Sequence, residues 1–257
     1  TISGLNFGGQ YSLTPTAFLA DVAMGTTSWT SATTVQFLNS GGIASNKWAL
    51  IAQGLIVGSA IGTAAGIFTF DAPTISHAHA SNLAASGGGS ITVLGINFAS
   101  NYASPTIRVG STLCASNVWV TSTNVRCQVP GGYGGKRTLA VTIAAVVGTR
   151  VLGFTFDAPV LSHTLGYNQP VSSTESVTLL GANFGSVDTT PTASMLGTPT
   201  MCPSTAWVSD TAIYCTGVQG TGGKKSFVVT VAAVVGTRSG VKFSYDAPVV
   251  TRLTPRN

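Results

Sequence analysis

The chain has 257 residues, enough for one large domain or for two to three ordinary ones, each able to bury a hydrophobic core. Only 7% of the residues are charged, against about a quarter in typical soluble proteins, and the net charge of +5 comes from twelve scattered bases set against seven acids. No run of Lys and Arg is interleaved with aromatics, which argues against a nucleic-acid groove, and seven carboxylates are a thin supply for acid–base catalysis.

The first element is Thr1-Ile-Ser-Gly-Leu-Asn-Phe7, a strand-like segment in which the chain opens without an initiator Met or a charged and apolar leader. It reads as a processed product or as a window of a longer sequence. Pro15-Thr16 follows, and then Met24, Trp29 and Phe37, with Val35 and Phe37 alternating against polar neighbours as in a half-buried strand. Residues 49–68 carry no charge and space Gly54, Gly58, Gly62 and Gly66 in a small-xxx-small pattern, so in isolation they read as a membrane helix. Aligned with the later repeats they become a pair of strands, and no membrane span is expected. Phe70-Asp-Ala-Pro73 closes the block.

The same block recurs twice. Thr92-Val-Leu-Gly-Ile-Asn-Phe98 and Thr178-Leu-Leu-Gly-Ala-Asn-Phe184 place the Gly at 4, 95 and 181, steps of 91 and 86 residues. Pro105 and Pro191 match Pro15, and Phe156-Asp-Ala-Pro159 and Tyr245-Asp-Ala-Pro248 match the first closing segment. Ile-Ala-Ala-Val-Val-Gly-Thr-Arg at 143–150 returns as Val-Ala-Ala-Val-Val-Gly-Thr-Arg at 231–238. Val125, Cys127 and Val129 alternate with polar residues, as do Ile213 and Cys215, and Gly-rich turns at 131–135 and 220–223 punctuate the strands. The expected class is all-β: three tandem immunoglobulin-like β-sandwiches in an elongated array. The repeats run over 1–72, 73–158 and 159–247, and 248–257 is a surplus first strand.

Cys114, Trp119 and Cys127 keep the same offsets as Cys202, Trp207 and Cys215, with each Cys pair thirteen residues apart. The absence of a C-x-x-C, with His77, His79 and His163 at other repeat positions, favours two disulfides over a metal site. Disulfides imply an oxidising compartment. The first repeat has Met24, Trp29 and Phe37 at these offsets, so Met24 is expected to pack near Phe37 where the others place a bridge. Trp29, Trp119 and Trp207 share one position and are read as core; Trp48 is unmatched.

Gly-x-Asn-Phe, a Cys before a Trp, a second Cys after Ser-x-Thr or Asp-Thr, a Gly-rich turn and a closing Phe-x-Phe-Asp-Ala-Pro together resemble the IPT/TIG family of immunoglobulin-like domains. The resemblance covers nearly the whole chain and is strongest in the second and third repeats. It implies an early immunoglobulin-like sandwich of the kind found in tandem in plexins, growth-factor receptor ectodomains and microbial or protist surface proteins, and singly in Rel-type transcription factors and starch-converting enzymes. No catalytic residue comes with the fold.

The residues are read accordingly as non-enzymatic, with no cofactor and no metal. Asp71, Asp157 and Asp246 precede Ala-Pro and are read as hydrogen-bonding the turn between domains. Lys136-Arg137 and Lys224-Lys225 form basic turn tips, with Lys47 a partial match. Ser and Thr make up about a quarter of the chain and no Asn-x-Ser/Thr sequon occurs, so any sugar is expected to be O-linked. Outward strand positions such as Ala140, Thr142 and Ala144, or Val228, Thr230 and Ala232, are small and neutral and suit close packing of sandwiches. The expected function is structural, in an extracellular filament or cell-surface fibre, with a receptor or adhesin ectodomain as the alternative. The expected partners are copies of the chain itself or adjacent repeats of a longer one. Val249, Val250, Thr251, Arg252 and Leu253 are the expected inter-chain or inter-repeat strand, added to a first sandwich that lacks one.

Overall fold

A computed structural model describes residues 1–8, 14–19, 22–38, 51–57, 60–68, 70–99, 104–172, 174–196, 201–238, 242–252 and 254. All regular structure among them is β, in agreement with the all-β class read from the alternation. The chain divides into two compact units. One comprises Thr1–His79, Ser90–Gln128 and Thr138–Val151, and the other Ala80–Gly89, Val129–Arg137 and Leu152–Asn257.

In the first unit, Ile51–Val57 and Ala60–Phe68 are an antiparallel pair of strands and not a helix. They join Thr16–Leu19 and Val22–Ala23 in one sheet, while Ile2–Ser3, Thr34–Leu38 and Thr26–Ser31 form another. Between them lie Ala17, Met24, Val35 and Leu55, with Trp29 and Phe37 packed against this core. The same unit holds the antiparallel sheet of Ser116–Thr121, Asn124–Gln128, Ser90–Ile96 and Thr74–His79. Its inward row reads Ile91 and Val93 opposite Cys127 and Val125, all four fully buried. Facing residues come from Thr106–Val109 and Arg137–Ile143, where Ile107, Leu139 and Val141 are also fully buried. The period-two alternation of β-branched and polar residues makes one face of each strand apolar, and two such faces must close on each other.

In the second unit, Ser204–Ser209, Ala212–Thr216, Ser176–Ala182 and Val160–Leu165 form the antiparallel part of one sheet, to which Thr237–Arg238 adds in parallel. Thr192–Met195, Phe227–Val231 and Val234–Val235 form a second sheet. The core holds Leu179, Phe184, Ile213, Phe227 and Phe243, and Phe243 stands edge-on to both Phe227 and Tyr245, with ring centroids 5.5 and 5.2 Å away. Two face-to-face antiparallel sheets of short strands make an immunoglobulin-like sandwich.

Residues 248–252 form no strand and are exposed, and Leu253 lies outside the described residues, as do Lys47 and Trp48. A strand needs an edge to pair with. No helix among the described residues is long and apolar enough to cross a membrane.

Candidate functional site: the repeat junction

The Gly-x-Asn-Phe segment is a hook that ends a core strand. Gly95 and Phe98 donate their N–H groups to the Thr123 and Ser122 carbonyls, and Gly181 and Phe184 to those of Thr211 and Asp210, all at 2.9 Å. Gly4 and Phe7 repeat the pattern onto Thr33 and Ala32, again at 2.9 Å. The Trp of each repeat ties the hook down. The indole N–H of Trp29, Trp119 and Trp207 donates to the carbonyl of Phe7, Phe98 and Phe184 at 2.9, 2.6 and 3.1 Å. All three rings are half-buried, and those of Trp29 and Trp207 pack against their cores, so there a tether joins the packing role read from the sequence.

The glycine is required by a close approach. A Cβ at Gly95 would lie 2.0 Å from the Thr74 carbonyl oxygen, and one at Gly181 would lie 2.0 Å from that of Val160. Only a residue without Cβ lets the first strand of each repeat lie this near. Asn97 and Asn183 take positive φ values of 64° and 63°, a conformation Asn tolerates better than most residues, and this swings their carboxamides out of the strand. Asn97 then donates through Nδ2 to the Ala72 carbonyl at 3.1 Å, and Asn183 to that of Ala158 at 3.3 Å. Both acceptors belong to the Asp-Ala-Pro segment entering the repeat.

Within the second unit the clasp is wider. Asn183 Oδ1 accepts the Ala85 N–H at 3.1 Å, from a turn of the preceding repeat. Beside it Tyr133 packs against the core of the third repeat. Arg137 fixes that tyrosine, donating through Nε and Nη2 to the Tyr133 carbonyl at 3.0 and 2.6 Å, with its guanidinium carbon 5.0 Å from the ring centroid. Lys136 stays exposed, so the two cations of this turn differ in role. Reading the turn as a basic tip missed Tyr133. The available signal was an aromatic residue in a glycine turn whose counterpart in the third repeat is Thr221.

Of the three Asp residues before Ala-Pro, Asp157 and Asp246 find partners other than the turn between domains. Asn82 Nδ2 donates to Asp157 Oδ1, and Asn168 Nδ2 to Asp246 Oδ1. Among the described residues both carboxylates accept from an Asn of their own repeat. Parallel pairing of Thr155 and Phe156 with Asn82 and Leu83, and of Ser244 and Tyr245 with Asn168 and Gln169, brings each Asn beside the Asp that ends the closing strand.

Cys114 is bonded to Cys127 and Cys202 to Cys215, with Cα atoms 5.8 and 5.5 Å apart. The first repeat keeps the backbone of this site. The Met24 N–H donates to the Ala17 carbonyl at 2.8 Å, as those of Cys114 and Cys202 do to Ile107 and Ala193 at 3.0 Å. Phe37 stands opposite Thr27 as Cys127 stands opposite Asn117. Met24 is buried and Phe37 packs against the same cluster. His77, His79 and His163 are exposed, and no group of three or more metal-ligating side chains occurs among the described residues.

The recurring frame of hook, tether and bridge is matched by the family described as IPT/TIG domain over residues 73–157 and 165–245, more than half of the chain. The chain belongs to the IPT/TIG domain family. No curated protein sequence matches it. Among solved structures it is similar to the surface glycan-binding protein PbSGBP-B from Prevotella bryantii, at 15% identity and a TM-score of 0.48, over 68% of this chain and 42% of that one. It is also similar to the plexin A4 full extracellular region, at 11% identity and a TM-score of 0.34, over 95% of this chain and 32% of that one. The IPT/TIG chain thus spans less than half the length of either structure.

Proposed function

We propose that this chain is a non-enzymatic structural component of an extracellular filament or cell-surface fibre, built by head-to-tail stacking of tandem IPT/TIG sandwiches. In this reading residues 1–72 are a repeat without its first strand and disulfide, 73–158 and 159–247 are full repeats, and 248–257 supply the first strand of a further sandwich. The observation that carries it is the clasp of Asn183, which holds Ala158 of the entering segment and Ala85 of the preceding repeat at once. Tyr133 adds an apolar anchor from one repeat to the core of the next. Such contacts fix successive sandwiches where a free linker would leave them independent.

Two disulfides suit an oxidising, extracellular setting. Half-buried Ala140 and Thr142 suit packing between sandwiches, and exposed Ser and Thr are sites for O-linked sugars. The alternative, a receptor or adhesin ectodomain, is favoured by Val118 and Val120, each 44% exposed on one face of Ser116–Thr121. Electron microscopy of the native material decides between them. Filaments with an axial repeat of one sandwich support the structural reading, and dispersed particles that bind a glycan or protein ligand overturn it.

A further inference from the structure

The chain has three histidines, and two of them, His77 and His79, take alternate positions of the strand Thr74–His79. A period of two sets both on one face of the sheet, and a bulge decides which face. Thr74 and Ile75 pair with Ile96 and Gly95, the register then slips at Ser76, and His77, Ala78 and His79 pair with Leu94, Val93 and Thr92. Without the slip both histidines would share the inward phase of Ile75, which is 5% exposed. With it Ala78 stands opposite fully buried Val93, and both imidazoles face solvent. Their ring centroids are 5.6 Å apart. Neither ring has a hydrogen-bond partner among the described residues, so each neutral imidazole keeps a nitrogen lone pair to offer.

We propose that His77 and His79 together bind one divalent transition-metal ion of the zinc, nickel and copper class. Such an ion sits about 2.0–2.1 Å from an imidazole nitrogen and hence about 3.2 Å from the ring centroid, so it can join two rings whose centroids are less than about 6.4 Å apart. The pair meets that condition. Imidazole suits these ions, whereas Ca²⁺ and Mg²⁺ take oxygen ligands. Arg126 pairs with Thr92 on the far side from His79, two strand spacings or about 10 Å away, where solvent and salt screen its charge. The third repeat has the same bulge without the pair. His163 and Leu165 stand opposite Leu180 and Thr178 as His77 and His79 stand opposite Leu94 and Thr92, and Leu165 is 50% exposed in the place of His79. His163 is therefore a single donor in the same backbone setting.

The inference is independent of whether the repeats stack. It is tested on the purified 257-residue chain by titration with Zn²⁺ alone, following the ring protons of the three histidines by NMR. The expected result is that the His77 and His79 signals move together, with one midpoint about tenfold or more below the Zn²⁺ concentration that moves His163, because the second nitrogen binds intramolecularly. His79→Leu installs the third repeat's residue at an exposed position and raises the His77 midpoint to that of His163. Leu165→His lowers the His163 midpoint by a similar factor. Circular dichroism and melting of both variants show that the sandwiches persist. Separate midpoints for His77 and His79, a shared midpoint no lower than that of His163, or a His77 response unchanged by His79→Leu overturns the shared ion. A His163 midpoint unmoved in Leu165→His overturns the geometry assigned to the bulged strand.

Discussion

The first repeat does without a disulfide, and this sets the size of what the bridge contributes in the second. Replacing Cys114 and Cys127 together by Ala opens a loop with a sequence separation of 13. In the chain-entropy account, closing a loop of that length is worth about 3 kcal/mol. A repeat of this size melts about 4–8 °C lower per kcal/mol, so its transition should fall by about 12–24 °C. The assay is differential scanning calorimetry of the intact chain, in which the Cys202–Cys215 repeat serves as the internal control. A second variant, Cys114→Met with Cys127→Phe, grafts the first repeat's arrangement. Burial of two apolar side chains contributes about 1.5–3 kcal/mol each, and fitting them around a core sized for a sulfur link costs about 1–3 kcal/mol. The net gain centres near about 2.5 kcal/mol, so the graft should recover most of the loss. A shift below about 3 °C in the Ala variant, or a graft that melts below it, would refute the interchange of bridge and apolar pair.

Gly181→Ala forces a methyl against the Val160 carbonyl 2.0 Å away and should cost about 3 kcal/mol or more, read as a lower urea midpoint. Tyr133→Ala removes the anchor on the third repeat's core and about 2–3 kcal/mol of burial, so the calorimetric transitions of the second and third repeats should separate. Unchanged overlap would show that Tyr133 does not couple them. Burial raises the Tyr245 phenol above its ordinary value, so the folded state favours the neutral form. Its stabilisation is whole below about pH 10 and is lost as pH rises through the folded value. Urea midpoints from pH 8 to 11 should show this loss, and Tyr245→Phe should flatten it.

The parts of the fold legible in the sequence are those fixed by spacing. Residues 49–68 are apolar enough for a helix, and composition alone misleads; alignment with the Val-Val-Gly-Thr-Arg pair is what points to the strands Ile51–Val57 and Ala60–Phe68. The Cys, Trp and Met24/Phe37 offsets survive because each sits on a hairpin whose register is local. The partners that were not legible are distant in sequence. Asn82 and Asp157 are 75 residues apart and meet only because their strands pair in parallel. The Asn of the hook looks like an ordinary turn residue until its positive φ turns the carboxamide toward the incoming chain. Tyr133 stands in a turn whose glycines signal a bend and say nothing of a neighbour.

The three copies also separate what this frame can exchange from what it cannot. A disulfide acts largely by limiting the unfolded chain, so apolar packing can take its place, and at that site the first repeat has a buried Met24 and a half-buried Phe37. The Gly, the Asn and the Trp act through fixed geometry: an absent Cβ, a left-handed backbone and an indole N–H aimed at one carbonyl. No increase in core packing reproduces any of these, and all three copies carry them.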